Sequence, residues 1–121
     1  MKIRTKLYAI AILLTGFISS ASSTTINFSI DSWNVGYGPY DTVYINLHEV
    51  NGQGGHATLY FHRNHLPENL VEYVERYELP KVHYSIEEFD NVYELLKTSK
   101  IKSFYFSNDS AGNAAAITVL H

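Results

Sequence analysis

Hydrophobic and polar residues alternate along much of this chain, and the phase of that alternation, read with the glycines and prolines, lays out its elements. Residues 25–30 place Ile26, Phe28 and Ile30 on one side and Thr25, Asn27 and Ser29 on the other, the pattern of a half-buried strand. Residues 42–48 alternate again with Val43, Ile45 and Leu47 inward, and residues 56–62 do so with Ala57, Leu59 and Phe61 inward. The flexible stretch 51–55, Asn-Gly-Gln-Gly-Gly, joins these two strands into a hairpin. Before them, residues 33–40 carry two glycines and a proline among four aromatic or branched residues, which predicts a loop or wide turn.

In the second half the period lengthens. Pro67 suits a first helical turn, and Leu70, Val71, Val74 and Tyr77 follow at i, i+1, i+4 and i+7, so the spacing predicts a helix over 67–77 that stops at Leu79-Pro80. A short strand is expected over 81–84. Ser85 and Glu88 have the spacing of a capping box, opening a second helix from 86 to about 97 with Phe89, Val92, Tyr93 and Leu96 as its apolar stripe. Two closing strands, 101–106 and 114–120, bring Phe104, Phe106, Ile117 and Val119 to the buried face across a polar turn. The expected fold is therefore α+β: one small domain, a mostly antiparallel sheet of five or six strands packed against two helices.

The amino terminus has a different grammar. Lys2, Arg4 and Lys6 precede an apolar run of twelve residues, 7–18, and then Ser19-Ser20-Ala21. This is the layout of a secretory signal peptide, with cleavage expected after Ala21 and a single exported domain over 22–121. The run is shorter than the roughly 20 residues that span a bilayer, so no membrane segment is expected to be retained.

Charge and composition narrow the function classes. The leader holds three of the nine basic residues and none of the twelve acidic ones, leaving six basic against twelve acidic residues in the exported domain. Such an acidic surface argues against nucleic acid or an anionic membrane as partner. Cysteine is absent, which removes thiol catalysis, thiolate metal sites and disulfides. A short leader on a cysteine-free domain points to a bacterial exported protein, periplasmic or secreted.

Three groups of residues offer chemistry. Trp33, Tyr37 and Tyr40 lie in the glycine-punctuated segment, where rigid aromatic area and an approachable backbone suit contact with a partner. If His48 stands opposite His56 in the hairpin, Tyr44 falls opposite Tyr60, and His62 lies on the same polar face. Opposed imidazoles at the roughly 5 Å spacing of cross-strand pairs can share a divalent metal, although His62-Arg63-Asn64-His65 carries a cation and no fixed carboxylate. Glu68, Glu72, Glu75 and Glu78 recur at about one turn and read as the solvated face of the first helix. No nucleophile elbow, HExxH or phosphate-binding loop occurs.

The leading expectation is an exported, non-enzymatic binding or interaction module, an inhibitor or accessory subunit. It would engage an exported protein or a small ligand through Trp33, Tyr37, Tyr40, Tyr44 and Tyr60. Two alternatives stand beside it: a protein binding a divalent metal through His48, His56 and His62, and a structural or adhesive subunit whose C-terminal strand adds to another sheet.

Overall fold

A computed structural model of the chain describes residues 23–120, together with the backbone of Leu7–Leu14. The expected cleavage point after Ala21 lies outside the described residues. The elements run β1 (Leu7–Leu14), β2 (Thr24–Ser29), β3 (Ser32–Gly38), β4 (Thr42–His48), β5 (His56–His62), β6 (Val71–Val74), β7 (Leu79–Ser85), α1 (Phe89–Thr98), β8 (Ile101–Asp109) and β9 (Gly112–Leu120). Short 3-10 turns, Glu75–Tyr77 and Ile86–Glu88, follow β6 and precede α1.

The strands form two sheets. One has the order β3-β4-β5-β7-β6; in the other β9, β8 and β2 are neighbours, and the backbone of β1 runs antiparallel along the far edge of β9. All pairings are antiparallel except β5 with β7. Between β2 and β3 the chain passes from one sheet to the other through only Ile30 and Asp31, and it returns through α1 between β7 and β8. Ile30 N–H donates to the Lys102 carbonyl in one sheet, and Asp31 N–H donates to the His48 carbonyl in the other.

The inward sides of both sheets share one core. Val43, Ile45, Leu47, Ala57, Leu59, Phe61, Val71 and Val82 come from the five-stranded sheet, and Phe28, Phe104, Phe106, Ile117 and Val119 from its partner. Phe61, Phe104 and Phe106 are wholly buried. Each contributes on the order of 2–3 kcal/mol by leaving water. Helix α1 closes the core over β3 to β5: Val92 and Leu96 are buried, Phe89 meets Phe61 edge-on at 5.2 Å, and Tyr93 meets Trp33 edge-on at 5.2 Å.

This architecture corrects the expected fold in three places. The described residues hold one α-helix and two sheets, not two helices on a single sheet. The predicted helix 67–77 is instead strand β6 and a 3-10 turn, closed by Glu78 in the left-handed region at φ 49°. Val71 and Val74 satisfy a helical spacing, but β-branched valines flanking Tyr73 also suit a strand, and pairing with β7 decides between them. That pairing turns Val71 inward and stacks Tyr73 on Phe106 at 4.9 Å.

The third correction concerns residues 33–40, where Ser32–Gly38 is an edge strand and only residues 39–41 turn. Its glycines do not break the strand, because Gly36 makes room for a ring from β4. Elsewhere the predicted elements stand where the pattern placed them. The hairpin has the expected register, with His48 opposite His56, Tyr44 opposite Tyr60 and Asn46 opposite Thr58. The second helix is present, but its α-helical part starts at Phe89, three residues later than expected, after a 3-10 turn over Ile86–Glu88, and the capping box does not form, because the Ser85 hydroxyl donates to Glu87 and caps no backbone amide.

Candidate functional site

Strand alternation sends every second side chain of the five-stranded sheet away from the core. Across β4, β5, β7 and β6 the outward set includes Tyr44 and Asn46, Thr58, Tyr60 and His62, Lys81 and His83, and Glu72. Neither the second sheet nor α1 covers this side, since both pack against the inward residues.

A chain of hydrogen bonds crosses three of these strands. His83 Nε2 lies 2.5 Å from Glu72 Oε1, and His83 Nδ1 lies 2.8 Å from His62 Nε2. A carboxylate only accepts, so His83 Nε2–H donates to Glu72 and the neutral His83 ring has its lone pair on Nδ1. His62 Nε2–H must then donate to that lone pair. The consequence is that His62 presents Nδ1 as an unprotonated acceptor on a half-buried ring.

Burial is the main cause holding both imidazoles below their ordinary pKa. For His62 the neighbouring His83 adds to it. For His83 the Glu72 hydrogen bond and charge oppose the effect without overcoming it, and Lys81 adds a smaller downward push. Both rings are therefore neutral near pH 7.

Aromatic packing fixes the rest of the surface. Tyr60 stacks on His83 with 5.2 Å between ring centroids, Tyr44 lies 6.3 Å from Tyr60, and the Lys81 ammonium sits 5.8 Å from the centre of the Tyr60 ring. Beside the tyrosines runs a polar ladder: Thr58 Oγ1 donates to Asn46 Oδ1 at 3.0 Å, and Asn46 Nδ2 donates to Asn34 Oδ1 at 3.1 Å. The hydroxyls of three neighbouring residues are bonded elsewhere: Thr42 donates to the Tyr40 carbonyl, Ser85 to Glu87 and Thr58 to Asn46, so among the described residues no serine or threonine hydroxyl is hydrogen-bonded to His62.

The structure divides the sequence-predicted contact residues. Tyr44 and Tyr60 come together on the outward face. Trp33 and Tyr37 pair with Leu47 and Val43 and so belong to the opposite side of the sheet, where Trp33 is half-buried against Tyr93 and Tyr37 projects beyond the core edge. Tyr40 stands at the tip of the β3–β4 turn, 89% exposed, with φ at 59°.

The three predicted metal histidines separate as well. His62 is committed to His83. His56 turns Nδ1 to the Gly54 carbonyl and Nε2 to the Tyr77 carbonyl, at 3.3 and 3.2 Å, which leaves neither nitrogen directed at His48. Among the described residues no group of three His, Asp or Glu side chains is arranged to hold a metal ion. His56 instead lines a cleft of about 300 Å³ between β2 and the 51–55 loop, with Asn27, Glu49, Tyr73 and Glu78.

Sequence reasoning missed His83 and Glu72. The spacing of Glu72 reads as a solvated helix face, yet Glu72 is a strand residue aimed at His83. The signal that could have found them is the alternation of Lys81, His83 and Ser85 with Val82 and Tyr84, which puts His83 on the polar side of any strand over these residues. No protein-family model, curated protein or solved structure matches this chain.

Proposed function

We propose that this protein is a small exported binding module, non-enzymatic and of inhibitor or accessory-subunit type, that holds a protein or small ligand on the outward face of its five-stranded sheet. The observation that carries this reading is the side-by-side placement of Tyr44 and Tyr60, backed by the Glu72–His83–His62 chain and left uncovered by helix and second sheet. Aromatic rings braced by neighbours lose little conformational freedom on binding, and the ladder of Asn34, Asn46 and Thr58 offers fixed amide and hydroxyl groups beside them. Export rests on the leader, residues 1–21, and puts the module in a bacterial periplasm or outside the cell. Among the described residues no helix is long and apolar enough to cross a membrane.

The test uses tagged protein recovered from the exported fraction. Wild type and Tyr60→Ala are compared for captured partner while thermal melting is followed in parallel. Loss of capture at a little-changed melting temperature supports the face as the contact surface; equal capture by both proteins removes it. Mass analysis of the exported product tests the leader separately, because a product still beginning at Met1 contradicts cleavage after Ala21.

A further inference from the structure

Strand β9 has two edges. One pairs with β8 through nine consecutive residues, Ile101↔Leu120 to Asp109↔Gly112; the other is covered by β1, from Leu7↔Leu120 to Leu14↔Asn113. All of β1 lies inside the leader. Cleavage after Ala21 would strip this edge of its entire partner, leaving alternate N–H and C=O groups of residues 112–120 without a strand.

The uncovered edge has none of the features that discourage pairing. Residues 112–120 contain no charge and no proline, and their one-to-one register with β8 contains no bulge. The other edges differ. Strand β6 is four residues long and carries Glu72, β3 holds Gly36 and Gly38, and β2 borders the cleft walled by Glu49, His56 and Glu78. In the precursor the edge accepts an uncharged strand running antiparallel. In the processed chain β9 itself is the longest uncharged strand with a free edge.

Resting on the leader reading, we propose that processing exposes β9 and that the β9 of a second copy takes the place of β1, joining two three-stranded sheets into one of six strands. Antiparallel pairing about Ala116 sets Ala115 opposite the partner's Ile117 and Ala114 opposite the partner's Thr118. A small residue then faces a larger one on both sides of the sheet, and Ala115 and Ile117 continue the buried face. The contact is isologous and closes on itself, which makes a two-fold dimer instead of an open fibre. The leader thus acts as a temporary edge guard during passage to the exported compartment.

The experiment compares the processed product purified from the exported fraction with precursor recovered before processing, both by sedimentation velocity over a range of concentrations. A dimeric product and a monomeric precursor are expected. Ala116→Lys and Ala116→Glu each set like-charged side chains directly opposite one another across the two-fold axis, their Cβ atoms about 5 Å apart, and should each weaken the dimer at least tenfold, while an equimolar mixture restores it. Circular dichroism establishes that both variants fold. A product cleaved after Ala21 that stays monomeric, a precursor that dimerises equally well, open-ended growth, or variants that leave the dimer unchanged would each overturn the proposal. A product retaining residues 1–21 instead contradicts the leader reading itself.

Discussion

The ring of Tyr44 lies against Gly36, its cross-strand partner, so closely that a Cβ added at position 36 would stand 2.3 Å from Tyr44 Cζ. The glycine therefore serves the ring, letting an aromatic side chain lie across an edge strand and reach toward Tyr60. Gly36→Ala should push the Tyr44 ring aside. The clash involves the far end of a side chain half-open to solvent, so the cost in stability should be small, about 1 kcal/mol or less. Partner capture should fall nonetheless, because the spacing of Tyr44 and Tyr60 is lost. Urea denaturation and aromatic NMR shifts of the two tyrosines check both halves of this expectation.

Gly55 makes an instructive contrast. A Cβ there would stand 2.7 Å from Phe28 Cγ and 2.9 Å from Phe28 Cβ, at the root of a core side chain that cannot swing clear. Gly55→Ala should therefore destabilise the fold by about 1–3 kcal/mol, the usual range for overpacking. Equal denaturation midpoints for Gly36→Ala and Gly55→Ala would contradict the distinction.

His62 and His83 give stability a definite dependence on pH. Both have folded-state pKa values below 6.5, their ordinary value, chiefly because burial disfavours the charged ring. As pH falls, the unfolded chain binds protons on these residues before the folded chain does. Their contribution is thus present above about pH 6.5 and is lost as pH drops through the folded values. The double variant His62→Gln/His83→Gln should lose less stability than wild type between about pH 7.5 and pH 5, as read by urea denaturation. In Glu72→Gln the charge that props up the His83 pKa is gone, so histidine NMR titration should show His83 protonating at still lower pH.

Local pattern carries the hairpin and the helix, and fails where a distant strand casts the deciding vote. Val43, Ile45 and Leu47 against Ala57, Leu59 and Phe61 leave one register that buries both sets, and that register alone sets His48 opposite His56 and Tyr44 opposite Tyr60. Phe89, Val92, Tyr93 and Leu96 similarly fit one helical stripe. Residues 70–77 fit two periods, and only the pairing of Val71 with Val82 selects the strand. At 33–40 the glycines suggest a loop because nothing nearby in sequence shows that Tyr44 needs the space. The Glu72–His83–His62 chain is out of reach for the same reason, since its members sit on three strands, one of which has the spacing of a helix.

Tyr40 offers the sharpest separation of stability from function. It and Asp41 both lie in the left-handed region, at φ 59° and 55°, and the tyrosine ring is 89% exposed with little packing to repay its backbone. A bulky residue held there costs on the order of 1–2 kcal/mol, and asparagine bears the conformation more easily. Tyr40→Asn should therefore raise stability by about 0.5–1 kcal/mol, seen as a higher urea midpoint with an unchanged slope. If the turn presents Tyr40 to the partner, the same substitution should weaken capture, the opposed effects marking strain retained for contact. A variant that is stabilised and captures the partner as well as wild type would show that Tyr40 is dispensable and confine the binding surface to Tyr44, Tyr60 and their neighbours on the sheet.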